Sequence, residues 1–189
     1  LAGARQRLES WGLKVVIGKH ADGEHGRFAG TIKQRITDFQ RAMDDESIRA
    51  IICSRGGYGA IHLIDKLDFT HFKEHPKWLF GYSDITLLHE LFQYNGFASV
   101  HSPMARHLSV EPDEDVCTQA FKNILFGVLP DYKCEGHKLN RKGTAKGILR
   151  GGNLSVLYGL RGTKYDFPAE ETILFIEDIG ERPYHVDRM

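Results

Sequence analysis

A serine follows two residues after the glycine that closes an apolar run, in Trp78-Leu79-Phe80-Gly81-Tyr82-Ser83-Asp84. Apolar residues at Ile85, Leu88, Leu91 and Phe92 then recur at helical spacing. A strand, a sharp turn and a helix in that order form the setting of a nucleophile elbow, with the Ser83 hydroxyl raised above the end of the strand. The helix N-terminus and the Asp84 backbone N–H would there face developing negative charge. Ile85 stands where the second glycine of G-x-S-x-G would be, so the motif is matched in part. The alternative is that Ser83 only caps the helix that follows it.

Two further stretches carry chemistry. Ser54-Arg55-Gly56-Gly57-Tyr58-Gly59-Ala60 follows another apolar run, and its glycines let backbone N–H groups come close to a ligand. It fits neither the Walker pattern nor G-x-G-x-x-G. A phosphate cradle, half of an oxyanion hole, or a tight turn with no ligand all remain open. The run Ile173-Leu174-Phe175-Ile176 ends in the adjacent acids Glu177 and Asp178, one of which must face inward. Such an acid could orient a catalytic histidine, or both could be solvated strand-end carboxylates. A serine nucleophile needs a base. Of the ten histidines, His101 is best placed by position, with His89 and His185 behind it, and each has a structural or surface role as its alternative. None is assigned.

The elements that must position these groups alternate. Helical periodicity is expected from Leu1 to Trp11, over Ile32–Met43, Ala60–Leu67, Asp84–Tyr94 and Asp115–Phe126. Short apolar strands are expected at Leu13–Gly18, Ile48–Cys53, Lys77–Phe80 and Phe97–His101. That alternation predicts an α/β domain with a doubly wound, mostly parallel sheet over residues 1–130. A polar stretch, 131–146, reads as a linker or hairpin. Residues 147–189 read as the start of a second α/β or α+β domain, with a helix at Leu154–Leu160 and a strand at Thr172–Ile176. That unit looks incomplete, and both chain ends read as those of an internal fragment.

Composition excludes more than it assigns. Twenty-five basic residues balance 25 acidic ones, which gives no electrostatic ground for nucleic acid or an anionic membrane as partner. No apolar run approaches the roughly 20 residues of a membrane span. Three cysteines without CxxC spacing argue against a disulfide framework or a zinc site, and fit a cytoplasmic location.

Taken together, the chain resembles the LD-carboxypeptidase (muramoyltetrapeptide carboxypeptidase) family of serine peptidases, which includes the microcin-C self-immunity peptidases. The resemblance is carried by Arg55-Gly56-Gly57-Tyr58-Gly59, Gly81-Tyr82-Ser83-Asp84, Gly151-Gly152-Asn153-Leu154, and Glu177-Asp178 with Pro183 to Met189, in the family's order. Phe28-Ala29-Gly30 also looks familial, and His101-Ser102-Pro103-Met104 resembles a family loop outside the triad, with Ser102 where the family commonly has Gly. The resemblance implies a Ser–His–Glu triad with Ser83 as nucleophile and Glu177 as acid. It implies an oxyanion hole from the backbone N–H groups of Asp84 and Gly57, and substrate contacts from Arg55 and Asn153. The family's histidine lies later in the second domain, and no residue here matches it. The implied reaction releases terminal D-alanine from a murein tetrapeptide, with no metal or organic cofactor, and a homodimer is compatible with it. A peptidyl-nucleotide substrate is the alternative within the family, and a noncatalytic small-ligand module is the alternative outside it. The short interval from Ser83 to Glu177 favours the cell-wall type.

Overall fold

The computed structural model describes residues 1–189. Helix α1 (Ala2–Ser10) is followed by α2 (Ile32–Asp44), which opens on a reciprocal capping box between Thr31 and Gln34. Strand β1 (Ala50–Ile52), strand β2 (Trp78–Gly81), helix α3 (Thr86–Tyr94) and strand β3 (Val100–His101) come next, then helices α4 (Ala105–Val110) and α5 (Val116–Leu125). Strand β4 (Ile148–Asn153), helix α6 (Leu154–Tyr158), strand β5 (Thr172–Glu177) and helix α7 (Pro183–Arg188) complete the chain.

Both sheets are parallel: β1-β2-β3 in one, β4-β5 in the other. Successive strand side chains point to opposite faces, and the larger sheet uses both. Ile51 and Leu79 enter a core with Met43 of α2 and with Leu88, Leu91 and Phe92 of α3. The next residues along, Ile52 and Phe80, face the other way and pack with Ala4 and Leu8 of α1, Leu108 of α4 and Phe121 of α5. Helices therefore cover both faces, as the apolar runs predict. Leu160 and Tyr165, which follow α6, are buried in the same core as Phe72 and Phe92.

Several local expectations are corrected. Leu13–Gly18 is not a strand: Leu13 and Val15 pack against the second core beside Ala50 and Ile52 of β1, but the segment makes no ladder bonds, and Val16 is 59% exposed. Ala60–Leu67 is not an α-helix. Its buried residues, Ala60, Leu63 and Ile64, have helical spacing, yet the bonds run His62 N–H to Gly59 O and Leu63 N–H to Ala60 O, giving a 3-10 turn over Ala60–His62 and looser turns beyond. No hairpin forms in 131–146, which holds neither helix nor strand. β4, which contains the Gly151-Gly152 pair, is a strand not among those expected from the sequence. The end of the chain, Pro183–Arg188, is helical with Pro at its first turn.

Phe92 is fully buried and meets the edges of Phe39, Phe69 and Phe72 at centroid distances of 6.5, 5.2 and 5.1 Å. Truncation there removes a side chain that its three aromatic neighbours cannot collapse to replace. Phe92→Ala is expected to lower the unfolding free energy in urea by about 3–5 kcal/mol, against which a loss under about 1 kcal/mol would count.

Candidate functional site

In parallel sheets the carboxyl ends of the strands share one edge, where ligands are bound. β2 reaches that edge at Gly81. Tyr82 continues extended at φ −153° and ψ −176°, and Ser83 then turns into the left-handed region at φ +64°, at the start of a 3-10 turn over Ser83–Ile85 that runs into α3. That conformation costs a non-glycine residue on the order of 1–2 kcal/mol, and only Ser83 and Glu171 adopt it. The capping alternative fails, because neither the 3-10 turn nor α3 receives a side-chain cap. The half-buried Ser83 hydroxyl is left without a protein partner.

Neighbouring contacts hold the turn. The Gly81 carbonyl accepts from Ser102 N–H at 2.9 Å and from His89 Nε2 at 2.9 Å. Since a carbonyl only accepts, His89 Nε2 carries the proton and Nδ1 accepts from the Ser99 hydroxyl at 2.8 Å. Burial pushes the His89 imidazole down to about 4, with the Gly81 bond opposing and His101 adding to the shift. His89 is thus a fixed neutral donor.

The glycine turn after β1 lies directly against Ser83. A Cβ on Gly56 would fall 3.0 Å from Ser83 Cβ and 3.1 Å from its Oγ, so only glycine permits that approach. The two turns are tied by the buried Asp84, whose Oδ2 accepts the Ala60 N–H at 2.9 Å. Desolvation raises the Asp84 carboxyl pKa, while the Ala60 bond, the Arg35 charge and His62 oppose it. Arg35 lies 4.7 Å over the Phe28 ring and donates to Gly59 O at 3.2 Å. The Gly57 N–H, at φ +120°, bonds no protein acceptor. Arg55 is exposed and donates to Arg27 O at 3.2 Å, on the outer side of the turn.

The second sheet arrives at the same helix. Asn153 and Glu177 are register partners at the carboxyl ends of β4 and β5. The Asn153 N–H donates to Thr86 Oγ1 at 2.9 Å, three residues beyond Ser83. Its side chain is engaged locally, Oδ1 accepting from Val156 N–H at 3.2 Å and Ser155 Oγ at 2.8 Å, so it caps α6. The two acids divide. Asp178 accepts from Ser155 N–H at 2.9 Å and Ile179 N–H at 2.7 Å, whereas Glu177 Oε1 is buried without a partner. His101 packs against Phe175 and Tyr82 at 5.0 and 6.0 Å, and its burial lowers the imidazole pKa. His185 pairs with Glu181 at 2.8 Å on α7. No group of three His, Cys, Asp or Glu side chains is placed to hold a metal.

Sequence reasoning missed Thr86, Glu90 and Arg35. Glu90, between the apolar Leu88 and Leu91 on α3, is only 1% exposed; a charge in that stripe was the available signal.

Two outcomes follow. Ser83→Gly is expected to be more stable to urea than Ser83→Ala by about 1 kcal/mol, since only glycine relieves the left-handed strain; equal stability would mean the turn is unstrained. For His89, both folded and unfolded chains are neutral above its ordinary 6.5. Below that, the unfolded chain takes up a proton that the folded one refuses until about 4. From this group alone, stability should fall by on the order of 3 kcal/mol between pH 7 and pH 4. The difference in pH slope between the parent and His89→Gln, read by urea unfolding, checks it.

Comparison with known proteins gives a consistent set of relatives. The family model described as the LD-carboxypeptidase N-terminal domain matches residues 1–102, and that of the LD-carboxypeptidase C-terminal domain matches 146–189. The chain is 35% identical over 186 residues to the probable murein peptide carboxypeptidase of Bacillus subtilis (strain 168), covering 96% of this chain and 58% of that protein. The muramoyltetrapeptide carboxypeptidase of Oxalobacter formigenes superposes with a TM-score of 0.87 at 29% identity, over 99% of this chain and 63% of its own. The microcin C7 self-immunity protein MccF in complex with aspartyl sulfamoyl adenosine superposes with a TM-score of 0.76 at 25% identity, over 94% and 62%. This chain therefore spans under two thirds of the length of these relatives, and it belongs to the LD-carboxypeptidase family.

Proposed function

We propose that the protein is a serine LD-carboxypeptidase that hydrolyses the L,D peptide bond of murein tetrapeptides and releases terminal D-alanine, in cell-wall recycling. One observation carries this reading. Ser83 is held at φ +64° at the sheet edge with a hydroxyl that neither caps a helix nor meets a protein partner. A strained, unengaged serine in that place is what a nucleophile requires.

In this reading Ser83 Oγ attacks the scissile carbonyl carbon and its proton passes to an imidazole. The resulting oxyanion is received by the backbone N–H groups of Asp84 and Gly57. The imidazole returns the proton to the leaving D-alanine amine, and water then cleaves the acyl-serine. Glu177, with its unpartnered Oε1, orients the imidazole, a reading supported by Asp178 already accepting two backbone N–H bonds elsewhere. His89 is occupied at both nitrogens and so does not serve as the base, and His185, paired with Glu181 through Nδ1, shares no hydrogen bond with Ser83 or Glu177. The family resemblance assigns the imidazole to a later segment of the second domain. Arg55 and Asn153 keep a proposed part in binding substrate, Arg55 as an exposed cation and Asn153 through its remaining amide donors.

The division into a unit over 1–130, a linker over 131–146 and a second unit from 147 is part of the same reading. So is a cytoplasmic location: the three cysteines are unpaired, and no helix is long and apolar enough to cross a membrane.

The test compares the full-length protein with Ser83→Ala, each incubated with murein tetrapeptide while free D-alanine is quantified. The variant is expected to lose about three orders of magnitude or more in rate. If neither protein releases D-alanine, a peptidyl-nucleotide becomes the substrate to assay, since the chain also superposes on MccF. Absence of hydrolysis there too would leave a binding module and overturn the peptidase reading.

A further inference from the structure

The nucleophile and the acid of this site sit on different sheets, so something must fix one relative to the other. The second sheet meets α3 at Thr86, Glu90 and Gln93, the last donating through Nε2 to Leu149 O at 3.0 Å. Thr86, fully buried, accepts the Asn153 N–H at 2.9 Å. Glu90, 1% exposed, accepts the Gly151 N–H at 3.3 Å through Oε1, and its Oε2 lies 3.5 Å from Arg150 Nη1. Between them Gly152, at φ +149°, packs so closely that a Cβ would run into the Thr86 side chain. The partners of Thr86 and Glu90 are the four consecutive β4 residues Arg150 to Asn153, the last of which is the register partner of Glu177.

We propose that Thr86 and Glu90 are positioning residues that set Glu177 relative to Ser83 by docking the end of β4 onto the helix that follows the nucleophile. The inference rests on the reading of Ser83 and Glu177 given above. The nucleophile thus opens the 3-10 turn that leads into α3, and the bonds that anchor the acid's strand partner lie at the first residue of that helix and one turn on. Burial disfavours the charge on Glu90, and Arg150 and the Gly151 N–H oppose that effect, so the carboxylate is costly to keep there except as a dock. Neither side chain caps α3, and neither is a member of the apolar cluster that holds it.

The experiment is a double-mutant cycle in the full-length protein, following D-alanine release and the rate at which a serine-directed phosphonate labels Ser83. Thr86→Val keeps the volume and removes the acceptor. It is expected to lower kcat about 10- to 100-fold while KM stays within about threefold, since small misplacement of a reacting group costs rate rather than binding. Thr86→Ser, which retains the acceptor, should restore most of kcat. In a Glu177→Gln background the same Thr86→Val change should cost less than about threefold, because the group it positions has already lost its function. A merely structural role would give the same loss in both backgrounds, and that result overturns the inference. If Glu177→Gln lowers kcat while Thr86→Val leaves it unchanged, the docking role alone fails. If Glu177→Gln is silent, the reading of Glu177 fails and the inference with it. Should Thr86→Val not fold, Glu90→Gln carries the same cycle: it keeps an acceptor for Gly151 and discards the charge facing Arg150.

Discussion

A buried carboxylate, Asp84, bonds to the Ala60 N–H and so joins the two turns at the sheet edge. Neither turn is regular. One holds a serine in the left-handed region, and the other runs through glycines at positive φ on either side of Tyr58. Each would relax if free, because strained backbone persists only where its surroundings over-determine it. Asp84 supplies that constraint from within the motif itself, one residue after Ser83. The Arg35 guanidinium supports the far side of the glycine turn through Gly59 O. Charge is thereby used structurally beside a site whose chemistry needs other groups left free.

What could be read from the residues followed from period and punctuation. Leu79 and Phe80, adjacent in one apolar run, promised a strand buried on both faces, and the two cores they enter confirm the α/β arrangement. The Gly81–Ser83 punctuation marked the turn. Long-range pairing escaped. Leu13–Gly18 has a strand's composition but makes no ladder bonds. Gly151-Gly152 lies within a strand, where β5 and Thr86 come too close for any side chain. Which of Glu177 and Asp178 faces inward could not be read from the residues alone; the family resemblance named Glu177, and in the structure Asp178 is the one that accepts the Ser155 N–H.

The histidines illustrate the same limit. By sequence position His89 and His101 are neighbours of Ser83, but His89 spends both nitrogens on Gly81 O and Ser99 Oγ. A buried imidazole with a fixed tautomer behaves as a hydrogen-bonding strut. Its low affinity for protons is a by-product of that burial, not a sign of acid–base duty.

The burial of Leu160 and Tyr165 among the phenylalanines of the first core has a consequence for modularity. The Tyr165 hydroxyl also donates to Ile64 O at 3.0 Å, 101 residues away. Residues 1–130 taken alone would expose the surface those two side chains cover and leave that carbonyl to water. The segment after α6 is therefore a piece of the first unit's interior that arrives late in the chain. A graft that keeps this core covered must carry residues 154–165 along with the N-terminal part of this chain.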